Sequence, residues 1–108
     1  HINNPLGGMG MNGGIHDAFN LAEKLTRVWR GDDLALMGRY SRQRQKVARD
    51  VVQQQALRYR QILNQRDRAV RKAYHDDLRA IVADPAKHRA HLLRSSMIQS
   101  LRDLEEVA

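Results

Sequence analysis

The sequence predicts an all-α chain. Apolar residues recur at three- and four-residue spacing from Ile15 to Leu104, and no segment alternates as a strand does. Glycine and proline crowd into residues 1–14; beyond them stand only Gly31, Gly38 and Pro85. A glycine-rich loop followed by several helices is therefore expected.

The first helix is expected from Gly13 to Arg30. Asn12 offers an N-cap oxygen, and Asp17 places a carboxylate near the positive end of the dipole. Ile15, Ala18, Ala22, Leu25 and Trp29 form its apolar stripe, widened by Leu21 and Val28, and Gly31 stands where a C-terminal glycine belongs. Trp29 and Tyr40 read as packing residues. Asp32 and Asp33 then supply a second cap, before a short helix over Leu34 to Tyr40 that buries Leu36, Met37 and Tyr40.

A long helix is expected from Arg42 to Asn64. Its apolar marks, Val47, Val51, Leu57, Ile62 and Leu63, are sparse, and three glutamines (Gln53 to Gln55) interrupt them, so this helix should be half exposed. Asp67 to Val82 reads as a fourth helix. Asp84-Pro85 is a restart signal, with Asp as cap and Pro in the first helical position, and the last helix should run from Pro85 to Glu105.

The chain has 108 residues, one domain's worth at most, and no apolar run of the ~20 residues that a membrane span needs. It starts on His1 rather than methionine, and the start reads as a break in a longer protein. Cysteine is absent, which rules out disulfides and cysteine-based metal sites and fits a cytoplasmic setting. A metal site is not expected: His88 and His91 share a helix face, but no third ligand follows at useful spacing. The net charge of +7 admits nucleic acid, anionic lipid or a phosphate-bearing cofactor as partner. Nucleic acid is disfavoured. The arginines over residues 39–72 come with no zinc-finger, helix-turn-helix or RNA-binding signature.

The informative unit is Pro5-Leu6-Gly7-Gly8-Met9-Gly10-Met11-Asn12-Gly13-Gly14, running directly into a helix. Glycines let the backbone approach a ligand closely, and a helix start leaves N–H groups without intrahelical acceptors. Together they suit an anion or a polarised carbonyl. No Lys-Ser/Thr pair follows the glycines, which excludes a P-loop, and no β-branched strand precedes them, which disfavours a dinucleotide fingerprint at this loop.

His1 through Leu25 resembles the second flavin-binding segment of the para-hydroxybenzoate hydroxylase family, the single-component FAD-dependent monooxygenases. That segment is similar to GDxxH, a proline, GGxGxN and a helix reading DAxNLAxKL. His1, Pro5, Gly7, Gly8, Gly10 and Asn12 match the loop; Asp17, Ala18, Asn20, Leu21, Ala22, Lys24 and Leu25 match the helix. Tyr40 and Arg44 resemble the family's later Tyr-x-x-x-Arg segment, and beyond Val52 the likeness fades. Asn4 stands where many members have a second proline.

The resemblance implies that residues 1–31 are the second half of an FAD-binding domain and residues 32–108 a C-terminal helical region. Both would belong to the C-terminal part of an α/β FAD/NAD(P)-binding monooxygenase fold. It implies FAD as cofactor, NAD(P)H as co-substrate, and an aromatic, phenol-like substrate hydroxylated by oxygen through a hydroperoxyflavin. Pro5, Gly7, Gly8, Gly10, Met11 and Asn12 would bind the cofactor, with the Met11 and Asn12 amides on a flavin carbonyl. The flavin does the chemistry, so no side chain here is assigned as catalytic acid or base. Asn20 and Lys24 are expected in packing or hydrogen bonding, and Asp17 in a dipole or capping role. Of Met9 and Met11, the backbone contacts should matter more than the thioethers. The implied partner is a missing N-terminal dinucleotide-binding region, without which the fragment should be inactive. The other classes considered are a halogenase or another oxidoreductase of the same fold, and a basic helical nucleic-acid-binding module.

Overall fold

The computed structural model describes residues 5–108; the expectations for His1 and Asn4 lie outside them. The chain is all-α, with no strand among the described residues. The helices are α1 (Met9–Trp29), α2 (Ala35–Val47), a π-helical segment (Ala48–Gln53), α3 (Gln54–Asn64), α4 (Arg68–Ala83), α5 (Pro85–Ser95) and α6 (Ile98–Asp103). A 3-10 turn (Leu104–Glu106) follows.

The Pro5 carbonyl accepts from the Gly8 N–H at 3.2 Å, closing a turn around Leu6 and Gly7. Gly7 has φ 91°, the positive value that the third residue of a type II turn requires. Gly8 follows at φ 68° as the cap of α1, which therefore begins four residues before the predicted Gly13 and carries no side-chain cap. Asn12 is not the N-cap; its Nδ2 donates back to the Gly8 carbonyl at 3.4 Å. A glycine inside a helix costs about 0.5–1 kcal/mol relative to alanine. Gly10, Gly13 and Gly14 are nonetheless helical, because Met9 is buried in the core with Val47, Val52, Met97 and Leu104. Tertiary burial outweighs local propensity there. The Met9 side chain is thus a core anchor, against the expectation that its backbone would matter more than its thioether.

The end of α1 is as expected. Gly31 sits at φ 104°, its N–H donates to the Val28 carbonyl, and the Asp32 N–H donates to the Arg27 carbonyl at 3.0 Å, a Schellman closure. Asp33 Oδ1 accepts from the Ala35 N–H at 2.8 Å at the start of α2.

No break occurs near Ser41, where two helices were expected. The path from Ala35 to Asn64 is continuous and widens into π geometry at Ala48–Gln53. Five residues apart, Val47 and Val52 would diverge by about 140° on a regular α-helix. The wider turn lets both be buried in one cluster.

Asp67 caps α4, its Oδ1 accepting from the Ala69 N–H at 2.7 Å. Asp84 caps α5 through the Ala86 and Lys87 amides at 2.9 and 3.1 Å, with Pro85 in the first turn, as the sequence predicted. The expected last helix is divided at Met97, a buried non-glycine residue at φ 63°. That bend returns residues 97–108 to α1 and α2.

The radius of gyration is 17.2 Å, against about 13 Å for a compact domain of this length. The core is accordingly small, and α4 and α5 bury no residue.

Candidate functional site

The turn at Pro5–Gly8 and the first turn of α1 form one contiguous surface that includes all six candidate cofactor-binding residues. Gly7 is pressed onto α3: a Cβ there would lie 2.9 Å from the Tyr59 ring. A Cβ at Gly8 or Gly10 would meet nothing within 4 Å. Tyr59 and the buried Met9 thus hold the loop from one side, and its other side is open. Pro5, Gly7, Gly8, Met11 and Asn12 are exposed and Gly10 half-buried.

Starting α1 at Met9 moves the amides that lack an intrahelical acceptor. They are those of Met9, Gly10 and Met11, because Gly8 donates to Pro5 and the Asn12 amide falls to the Gly8 carbonyl in the α-helical pattern. Such amides at the positive end of a 21-residue helix stabilise negative charge by about 0.3–1 kcal/mol when exposed. Donors without helical acceptors, beside glycines whose Cβ positions are empty, suit an electron-rich carbonyl edge.

The helix behind the loop is turned inside out. Its inward residues are Gly13, His16, Asp17, Asn20, Leu21, Lys24 and Val28, mostly polar. Its outward residues include Met11, Ile15, Phe19, Leu25 and Trp29, with Phe19 76% and Trp29 91% exposed. The stripe of Ile15, Ala18, Ala22, Leu25 and Trp29 is exposed along its length, whereas Leu21 and Val28, expected to widen it, turn inward, and Trp29 does not pack among the described residues.

The polar face is joined to α2 by hydrogen bonds. Arg44, 3% exposed, pairs through Nε with Asp17 Oδ1, and its Nη2 reaches the Gly13 carbonyl at 3.5 Å. Asp17 lies well beyond the first turn of α1, so its role is this inter-helix pair rather than capping. Asn20 Nδ2 donates to Gln43 Oε1 at 3.2 Å, and Lys24 Nζ donates to Asn20 Oδ1 at 3.0 Å. Asn20 and Lys24 therefore hydrogen-bond, as expected. Burial lowers the pKa of Lys24, and the nearby Arg39, Arg27 and Arg44 add to the effect against the opposing charge of Glu23. His16 Nδ1 and Arg44 Nη1 are buried without a hydrogen-bond partner among the described residues.

Gln43 went unnoticed in the sequence. It carries no special residue chemistry, and only the fold shows that its amide reaches the C-terminal segment. Part of the basic tract is spent inside the molecule: Arg39 and Arg42 donate to backbone carbonyls of that segment, and Arg44 to Asp17. Among the described residues, no group of three or more His, Asp or Glu is placed to hold a metal, and no helix is long and apolar enough to cross a membrane.

Residues 1–55 match the family model described as FAD binding domain. Over 53 residues, 48% of this chain, the sequence is 43% identical to a rifampicin monooxygenase of Rhodococcus hoagii. That stretch is 11% of the relative, so the chain spans about a tenth of the length of the curated protein it matches. No solved structure matches. The matched region contains the turn, the whole of α1, the Asp17–Arg44 pair and the π-helical segment, and on that extent the chain belongs to the FAD binding domain family.

Proposed function

We propose that the chain is the C-terminal part of an FAD-dependent, NAD(P)H-using monooxygenase, of the para-hydroxybenzoate hydroxylase kind, that hydroxylates an aromatic substrate. One observation carries the reading: the amides of Met9, Gly10 and Met11 lack helical acceptors beside a glycine turn with one open face. The matched relative's own name as a monooxygenase supports oxygen insertion over halogenation.

In this reading, residues 1–31 are half of the flavin site and residues 32–108 its helical buttress. Pro5, Gly7, Gly8, Gly10, Met11 and Asn12 border the cofactor. Bound there, FAD reduced by a nicotinamide cofactor would supply the activated oxygen. The chain's part is to orient the ring by the Gly10 and Met11 amides and to place a helix N-terminus against its electron-rich edge. Asn12 steadies the turn by its bond to the Gly8 carbonyl. The exposed stripe of Ile15, Phe19, Leu25 and Trp29 would pack on an upstream dinucleotide-binding region, each large side chain contributing about 1.5–3 kcal/mol when buried.

The test is the complete reading frame, purified and examined by visible spectroscopy. A flavin spectrum and NAD(P)H oxidation stimulated by a phenol, with one oxygen atom of labelled dioxygen in the product, are the expected result. A colourless protein indifferent to FAD overturns the reading. Oxidation without oxygen insertion moves it to another flavoenzyme class. Gly10→Ala sharpens the test. It should leave the stability of the chain within about 0.5–1 kcal/mol, since its Cβ meets nothing. It should weaken FAD binding in the complete protein by about tenfold or more, because the methyl would occupy the approach.

A further inference from the structure

The C-terminal segment does not trail away from the candidate site; it is built into its underside. Met97 and Leu104 share the core cluster with Met9, the first residue of α1. Met97 adopts φ 63°, a region that non-glycine side chains rarely occupy and that persists only where surrounding packing demands it. Residues 104–108 are then held by side chains of α2 through their backbone carbonyls. Arg39 donates to Val107 and Glu105 at 2.9 and 3.2 Å, and Arg42 to Ala108 at 2.9 Å.

Gln43 joins this segment to α1. It is 3% exposed, and its Nε2 donates to the Leu104 carbonyl at 2.7 Å and to the Val107 carbonyl at 3.2 Å. Its Oε1 accepts from Asn20 of α1, whose own oxygen accepts from Lys24. One carboxamide thus satisfies the segment with its donor end and α1 with its acceptor end. Both ends are constrained, so the amide cannot turn over without leaving buried carbonyls or the Asn20 amide unmatched.

We infer that Gln43 is a positioning residue for the cofactor loop, and that the docking of residues 104–108 sets the first turn of α1 through it. This rests on the flavin reading given above. The consequence is that cofactor affinity depends on a segment outside the family-matched residues 1–55, remote in sequence from the glycine loop.

The experiment uses the complete protein with Gln43→Met, which keeps the volume and removes both hydrogen-bonding ends. The FAD dissociation constant should rise about tenfold, the effect expected from losing roughly one to two net hydrogen bonds' worth of ordering. Hydrogen exchange at the Gly8, Asn12 and Gly13 amides, whose hydrogen bonds close the loop and the first turn of α1, should quicken in the flavin-free protein. A variant that melts earlier, yet whose folded form keeps both the FAD constant and the exchange rates, has only lost stability and overturns the proposal. Should Gln43→Met fail to fold, Arg39→Gln is read in the same way. It removes the contacts to Glu105 and Val107 from a half-exposed position, with about a threefold weakening expected; unchanged affinity and exchange overturn the proposal. If the unaltered protein binds no FAD, the flavin reading fails. The exchange comparison still decides whether Gln43 orders the first turn.

Discussion

The two halves of this chain are held by different physics. Between α1, α2 and the C-terminal segment, buried and half-buried charged and amide side chains bond to one another: Asp17 with Arg44, and Lys24 through Asn20 and Gln43 to the carbonyls of 104 and 107. In α4 and α5 nothing is buried, and the helices rest on Asp caps and surface pairs such as Lys72–Asp76 at 2.6 Å. A removed partner in the first region leaves an unmatched buried group. In the second it returns its neighbour to water. The same kind of substitution should therefore differ severalfold in cost between the two.

The largest effect is expected at Arg44. Replacing it by alanine takes the buried guanidinium from Asp17 and from the Gly13 carbonyl and empties a buried volume, and should destabilise the complete protein by about 3–5 kcal/mol in urea unfolding. A loss under about 1 kcal/mol would mean that the seam is no more demanding than the surface of α4. Asp84→Ala probes the other half. It removes the cap on the Ala86 and Lys87 amides and should cost about 1 kcal/mol. A cost rivalling that of Arg44→Ala would erase the distinction.

The smallest effect concerns pH. Lys24 has a folded pKa below its ordinary 10.5, chiefly from burial. Between the lowered value and 10.5 the unfolded chain binds more protons than the folded one, so stability rises with pH across that window. Below the window both states are protonated and the burial cost is constant. Lys24→Gln should flatten that alkaline rise in thermal unfolding measured from neutral to alkaline pH. A slope unchanged by the substitution would show that Lys24 is not the group responsible.

Features that depend on a few adjacent residues were legible in the sequence. Asp33, Asp84-Pro85 and Gly31 mark ends of helices where the structure has them, because capping is settled by side chains within three residues of the amides they serve. The glycine loop and the helix behind it were legible for the same reason, and the family match lies over them. The start of α1 was misread. Asn12 is a good cap locally, but Met9 gains a core that includes Met97 and Leu104, some ninety residues away, and that burial carries the helix through Gly10.

Spacing alone could determine that α1 has an apolar stripe; it could not determine which stripe faces the rest of the chain. Here the polar one does, because Arg44 and Gln43 offer it partners, and Phe19 and Trp29 are left outward. Short-range chemistry wrote the helical class, the helix ends marked by Gly31 and Asp84-Pro85, and a glycine loop running into a helix. Where α1 begins and which way it is turned came from packing. Those depend on matching donors to acceptors between segments far apart along the chain, and no local pattern encodes that pairing.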